Sequence, residues 1–350
     1  MRDLGFGGVG EVVLPIVAER LRLRRFGPDD APAFAAYRSD PVVARYQSWA
    51  TPFDLEAAER FIADQADLDG PTPGEWIQIA VEHGGELAGD VAVGLDGDGQ
   101  IASIGYTLAA AYQGRGLARE AVRVVLDQLF DGMGIHRAEA GLDPRNVASA
   151  RLLEDLGFDF EGTSVSAVFA GGEWTDDARY GLTADLRQAW LDRPRRRPDD
   201  VRLVEITPET VHDVVRLATH DSQRRFVAPM AHSFADALAP EPENGVPVVP
   251  WFRAIEADGE LAGFVMIAER TDAHPEAYLW RLLIDRRHQL RGIGDRGLEL
   301  LAEHLRADGH DTLLVSWHPG ASGPEAFYLA RGFVPTGVVE DEEIEARLHL

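Results

Sequence analysis

The chain has 350 residues, 45% of them hydrophobic, and 34 basic against 59 acidic side chains give it a formal net charge of −25. That length suits two domains, and that charge repels DNA and anionic membranes while favouring cationic small molecules or peptides. Cysteine and lysine are both absent, which excludes disulfides, thiol nucleophiles, thiolate metal sites, a Walker-type phosphate lysine and a Schiff-base lysine.

The N-terminal stretch has glycines and acids where a secretion signal needs an apolar core. No apolar run approaches the ~20 residues of a membrane span, so a cytoplasmic location is expected, with neither nucleic acid nor membrane as partner. GFGGVG (5–10) fits the G-x-G-x-x-G spacing. Four residues cannot form a strand before it, and Pro15 stands where a helix should run. It reads as part of a flexible tail, residues 1–18.

ERLRLRRF (19–26) alternates like a strand. PDDAPAFAAYRSD and DLEAAERFIADQADL read as helices opening on Pro or Asp. WIQIAVE, ELAGDVAVGL and IASIGYTLA follow as strands separated by Gly/Asp turns. GRGLAREAVRVVLDQLF is a long amphipathic helix, HRAEAGL a strand and VASARLLEDLG a helix stopped by Gly. FDFEGTS and DARYGLTA close this half. RQAWLDRPRRRPDD (187–200), crowded with Pro, Arg and Asp, reads as an exposed linker.

The order then repeats. VRLVEIT is a strand, PETVHDVVRLAT and SFADALA are helices, and WFRAIEADGELAGFVMIAE is a hairpin turning at Asp258-Gly259. AYLWRLLID, the long helix RGIGDRGLELLAEHLR, the strand TLLVSW and the helix PEAFYLARGF come next. VVEDEEIEARLHL makes the last strand. The reading is a domain over 19–187, a linker over 188–200 and a second domain over 201–350.

Each half places the same signal at the junction of strand and long helix: QGRGLA at Gln113–Ala118 and QLRGIG at Gln289–Gly294. Such a turn aims successive backbone N–H groups one way, as an anion nest, and the helix N-terminus adds partial positive charge. Gly116 and Gly292 let the backbone approach a phosphate, while Ala118 and Gly294 keep the next turn thin. Arg115 and Arg291 are expected to add charge to the phosphate grip.

These motifs, with DPVVARYQSW, DPRNVASARLLEDLGF and GEWTDDARYGL in the first half and SQRRFVAP and AFYLARGFVPTG in the second, resemble the GNAT superfamily of N-acetyltransferases. The first half is similar to the branch that acetylates ribosomal-protein N-termini and to its small-molecule relatives. The second is similar to spermine/spermidine and diamine acetyltransferases. The resemblance spans nearly the whole chain. It implies an α/β (α+β) fold of two tandem domains, each a mixed, mostly antiparallel sheet flanked by helices. It also implies acetyl-CoA as cosubstrate, with no metal.

On that resemblance the pyrophosphate lies on Gln113, Gly114, Arg115, Gly116, Leu117 and Ala118, and on Gln289, Leu290, Arg291, Gly292, Ile293 and Gly294. Asn146 contacts CoA. Backbone N–H groups near Leu108 or Ile284 meet the oxyanion. Tyr328 in the second half, or Ser149 in the first, donates to the leaving thiolate. The base is open. Ser103 stands where relatives often carry an acid; Asp90 and Glu161 are substitutes that read as surface residues. The second half lacks the usual asparagine of its CoA helix. His288 and His318 have no i, i+4 partner for a metal and read as surface or turn residues.

The expected activity is acetyl transfer to a primary amine of a cationic, polyamine-like small molecule, in the second half. An aminoglycoside-like acceptor, a peptide N-terminus at the first half, or one half that binds acyl-CoA without chemistry are the alternatives. A homodimer is compatible with all of them.

Overall fold

The computed structural model describes residues 12–240, 242, 247–271, 275–320 and 323–350; GFGGVG lies outside them. The chain forms two compact units, Met1–Asp192 and Arg193–Leu350.

In the first unit the strands are β1 (Ile16–Val17), β2 (Arg22–Arg25), β3 (Trp76–His83), β4 (Glu86–Leu95), β5 (Ile101–Leu108), β6 (Arg137–Leu142), β7 (Asp159–Ala170) and β8 (Glu173–Thr183). The helices are α1 (Ala31–Ser39), α2 (Pro41–Ala44), α3 (Leu55–Asp64), α4 (Leu117–Asp127), α5 (Val147–Asp155) and α6 (Ala184–Asp192). The sheet runs β1-β2-β3-β4-β5-β6-β8-β7. Its pairings are antiparallel except β5–β6, so the mixed, mostly antiparallel sheet expected from the sequence is present.

Side-chain alternation divides this sheet between two helical layers. Ile79, Val81, Val91, Val93, Ala102 and Ile104 pack with Leu117, Ala121 and Val125 of α4. Ala80 and Leu87, on the other face, pack with Phe34, Ala58 and Ile62 of α1 and α3. Helix starts follow cap chemistry: the carboxylates of Asp40 and Asp54 accept from Val42 N and Ala57 N. Glycine pairs 84–85 and 171–172 have positive φ at both positions, the twist that two-residue hairpins need. The second pair joins β7 to β8 in a longer hairpin than the sequence suggested, because residues 165–170 and 173–176 on either side of it are also strand.

The second unit repeats the plan. Its strands are β9 (Val201–Val204), β10 (Pro250–Ala257), β11 (Glu260–Ala268), β12 (Ala277–Ile284), β13 (Thr312–Trp317), β14 (Val334–Glu340) and β15 (Glu343–His349). Its helices are α7 (Val211–Val215), α8 (Met230–Leu238), α9 (Ile293–Ala307) and α10 (Glu325–Leu329). The sheet order is β14-β15-β13-β12-β11-β10-β9, and β12–β13 is its parallel pair. Asp258 and Gly259 turn the β10–β11 hairpin with φ of 51° and 85°.

Two stretches differ from expectation. The long helix of the first half is α-helical only to Asp127. It continues to Met133 with i→i+5 bonds and is closed by Gly134 at φ 71°. In the expected linker, residues to Asp192 complete α6. The backbone beyond it is tied down: the amides of Asp199 and Asp200 donate to the Asp258 carboxylate at 2.9 and 3.0 Å. Among the described residues no helix is long and apolar enough to cross a membrane.

Arg24 grips Asp30 with two bonds of 2.7 and 2.9 Å, and Gly27 N donates to the same carboxylate at 2.7 Å, fixing the entry to α1. Burial pushes the Asp30 carboxyl up, but the Arg24 fork and the Gly27 amide outweigh it and hold it below its usual 3.8. Asp30→Asn is therefore expected to lower unfolding stability by about 1–3 kcal/mol at neutral pH. A depressed carboxylate stabilises above its unfolded pKa and loses that effect as pH falls through the folded value. The gap between wild type and variant in urea titrations should thus close below pH 3.8; a gap unchanged there would refute the assignment.

Candidate functional site

In each unit the parallel pairing is short. It joins Ile101–Ser103 to Arg137–Glu139 in the first and Ala277–Leu279 to Leu313–Val315 in the second. Past these residues the C-terminal halves of β5 and β12 have no strand on that side. Ala109 N donates to Ala88 O across to β4, whereas Leu108 O accepts from Gln113 Nε2 at 2.9 Å. The polar edge of Leu108 therefore faces the gap, and so does that of Tyr106 two residues earlier. Ile284 repeats this: Asp285 N goes to Ala262 O, and Ile284 O accepts from Gln289 Nε2 at 3.0 Å. Each glutamine of the repeated signal ties its own turn to the end of its strand.

The two turns share one backbone. Gly114 and Gly116 have φ of 69° and 74°; Leu290 and Gly292, at the same positions, have 61° and 77°. Left-handed residues alternating through such a turn make the anion nest. Leucine there costs about 1–2 kcal/mol relative to glycine, and the Leu290 side chain stands wholly in solvent.

A cleft of about 550 Å³ opens beside the first turn and one of about 400 Å³ beside the second. Leu108, Gln113, Gly114, Gly116, Leu117, Ala118, Asn146 and Ser149 all line the first. Ile284, Gln289, Leu290, Gly292, Ile293, Gly294 and Tyr328 all line the second. The missing member in each case is the arginine.

Arg291 is buried and turned inward. Its Nε donates to Arg196 O at 2.8 Å, and Nη1 donates to His288 Nδ1 at 2.8 Å. The expected phosphate contact of its guanidinium is corrected accordingly. His288, read as a surface or turn residue, is itself 4% exposed, and burial lowers its pKa, in keeping with a neutral ring that accepts from Arg291. Arg115 reaches out to His83 Nε2 at 3.1 Å. The cations beside the turns come from elsewhere. A Cβ built on Gly116 would lie 3.6 Å from Arg20 Nη2, and one on Gly292 lies 3.5 Å from Arg197 Nε. Arg20 is held by Glu120 at 2.7 Å and by Arg115 O at 3.0 Å. Arg197 is exposed.

Of the expected acids, Tyr328 is 7% exposed and stacks on Trp317, with ring centroids 5.6 Å apart. Burial alone pushes its phenol well above the usual range, and among the described residues the hydroxyl has no hydrogen-bond partner. It therefore stays protonated at neutral pH, as a proton donor must. Ser149 is half-buried in the first cleft and its carbonyl accepts from Tyr106 Oη at 3.0 Å. Asn146 Oδ1 caps α5 by accepting from Ser149 N, and its amide NH₂ stays available to a ligand.

The substitute bases fall elsewhere. Asp90, read as a surface residue, is buried under α1, where Tyr37 Oη and Gln78 Nε2 donate to it. Burial raises its pKa despite Arg38, Tyr37 and Gln78. Glu161 pairs with Arg137. Neither lines the cleft. Ser103 Oγ donates to Glu139 Oε1 at 3.3 Å, a carboxylate the sequence did not single out. Among the described residues no group of three or more His, Asp or Glu is placed to hold a metal.

Each cleft can thus take an extended ligand whose amides meet a strand edge and whose anion meets a nest. Comparisons with known proteins give the family of the chain. Residues 20–159 match the Acetyltransferase (GNAT) domain and residues 212–333 match the Acetyltransferase (GNAT) family. The N-acetyltransferase p20 of Bacillus licheniformis is 34% identical over 169 residues, 48% of this chain and 94% of that protein. The [ribosomal protein uS5]-alanine N-acetyltransferase of Escherichia coli is 34% identical over 80 residues, 23% of this chain and 41% of that protein. The crystal structure of a GNAT-family acetyltransferase from Bacillus anthracis covers 49% of this chain and 99% of its own at 27% identity, with a TM-score of 0.44. Mycobacterium smegmatis RimJ in complex with CoA-disulfide covers 51% of this chain and 87% of its own at 25% identity, with a TM-score of 0.43. The chain belongs to the GNAT acetyltransferases, which are acyl-CoA-dependent N-acyltransferases, and it carries two of their domains in tandem.

Proposed function

We propose that both clefts bind acetyl-CoA and that the second transfers its acetyl group directly to a primary amine. The observation that carries this reading is Tyr328, a protonated phenol without a hydrogen-bond partner among the described residues, in a cleft whose strand edge and nest suit a thioester of CoA. The pantetheine arm would run along the free edge of β12, the pyrophosphate would sit on Gln289–Gly294, and an N–H near Ile284 would meet the developing oxyanion.

The polyamine-like acceptor gains nothing from the cleft lining. Asp295 is engaged by Arg331, and the lining Arg281 is itself paired with Asp236 at 3.0 Å. A polycation needs several free carboxylates, so a molecule carrying one reactive amine beside neutral or anionic groups fits better. A second reading concerns the first cleft, where a peptide N-terminus is the acceptor; the identity to the uS5-alanine enzyme favours it.

Acetyl-CoA-dependent CoA release separates these readings. The panel holds polyamines, aminoglycosides, single-amine compounds and peptides beginning with Ala or Ser. Turnover of single amines that vanishes with Gly292→Glu supports the proposal. Turnover of peptides that vanishes with Gly116→Glu supports the second reading. Preference for polyamines would overturn the acceptor assignment.

Arg197 is proposed to replace Arg291 as the cation of the second turn. Arg197→Ala should weaken acetyl-CoA binding at that cleft about three- to tenfold, an effect that shrinks at high salt. Calorimetry that finds no change at low salt would sink the assignment.

A further inference from the structure

We propose that Ser316, Glu343 and His318 form the proton exit of the second cleft, leading from the acceptor nitrogen to solvent. This rests on the reading that acetyl transfer takes place in that cleft. Ser316 lies one residue beyond Val315, where the parallel pairing of β12 and β13 ends. Leu313, Val315 and Trp317 enter the core beside Tyr328 and Phe333. Alternation therefore puts Ser316 on the opposite face, and it lines the cleft.

Its hydroxyl donates to Glu343 Oε2, and the other oxygen of that carboxylate lies 3.4 Å from His318 Nε2. The β13–β15 register sets Ser316 opposite Glu345 and Trp317 opposite Ile344. One further step brings His318 opposite Glu343, so the three groups share a face. Exposure rises outward: Ser316 is half-buried, while the side chains of Glu343 and His318 are 38% and 45% exposed. His318 meets Glu343 from the end of β13, Glu340 is its cross-strand partner in the β14–β15 hairpin, and Glu345 follows two residues on along its own strand. Glu345 is occupied by Thr336 Oγ1 at 2.8 Å.

The step balances as follows. The acceptor ammonium gives a proton to Ser316 Oγ while Ser316 passes its own to Glu343, which releases it to His318 and water. The free amine attacks the thioester carbonyl, forming the C–N bond. As the C–S bond breaks, Tyr328 protonates the leaving thiolate, and the remaining extra proton on nitrogen restores the Tyr328 phenol. One ammonium and one thioester yield one amide, one thiol and one proton, which is the proton the relay exports.

Glu343→Gln and Ser316→Ala are the test, assayed with the panel amine that the wild type turns over fastest. Each should lower kcat about 10–100-fold at neutral pH, leave the acetyl-CoA KM and binding constant unchanged, and recover as pH approaches ~10.4, where an alkylamine is already free. Ser316→Thr, which keeps the hydroxyl, should retain activity. A packing defect would lower activity equally at every pH. Wild-type kcat in either variant at neutral pH, or a loss that persists undiminished at high pH, overturns the relay alone, provided Gly292→Glu still abolishes turnover. Absence of turnover of any amine by the wild type, or turnover indifferent to Gly292→Glu, overturns the catalytic reading of the cleft and the relay with it.

Discussion

Replacing Gly292 with glutamate is expected to weaken acetyl-CoA binding at the second cleft by about 100-fold or more, close to 3 kcal/mol. Three effects add. Gly292 has φ 77°, where any other residue costs about 1–2 kcal/mol. The new carboxylate stands where a pyrophosphate is proposed to sit, like charge against like charge. The nearest atom to a Cβ at this position is Arg197 Nε at 3.5 Å, so the glutamate would also capture the guanidinium proposed to serve the nest. No atom lies closer, and the fold should survive. Gly292→Ala carries the backbone strain without the charge and should cost tenfold or less. Calorimetric titration checks both, and equal affinity in wild type and Gly292→Glu would remove the pyrophosphate from this turn.

Tyr328→Phe is expected to lower kcat by about 100-fold while leaving acetyl-CoA affinity and unfolding stability near wild type. Among the described residues the phenol has no hydrogen-bond partner, and its ring packs on Trp317, Phe327 and Phe333. The substitution keeps that packing and leaves no polar group stranded. It removes only the proton that Tyr328 is proposed to offer the leaving thiolate. Pre-steady-state CoA release on the variant, alongside a urea titration, separates the roles. An unchanged kcat with lowered stability would make Tyr328 a core residue and return the acid to another group.

Much of the fold was legible because its signals are local. Alternation in WIQIAVE and ELAGDVAVGL, caps at Asp40 and Asp54, and the Asp258-Gly259 turn each act within a few residues. The doubled Gln-x-x-Gly was legible as a repeated turn for the same reason: a glutamine that must reach back five residues, and a glycine that must be left-handed, are demands of one turn. What failed was any inference about where a long side chain points. Arg115 and Arg291 occupy the repeated position, yet Arg291 is drawn inward by Arg196 O and His288, partners 95 and 3 residues away. Asp90 passed for a surface acid because nothing near it in the chain betrays Tyr37 and Gln78.

By itself, then, the sequence determined the two-domain plan, the two strand–turn–helix junctions and the exclusion of thiol and lysine chemistry, since composition and short-range backbone geometry suffice for these. Only the tertiary structure decided which charges face the clefts. It turned Arg291 away, brought Arg197 to Gly292, buried Asp90, and set Ser316, Glu343 and His318 on one face of the β13–β15 pair. A guanidinium or carboxylate goes where its desolvation is best compensated, and those partners are assembled by strand register and packing across the chain.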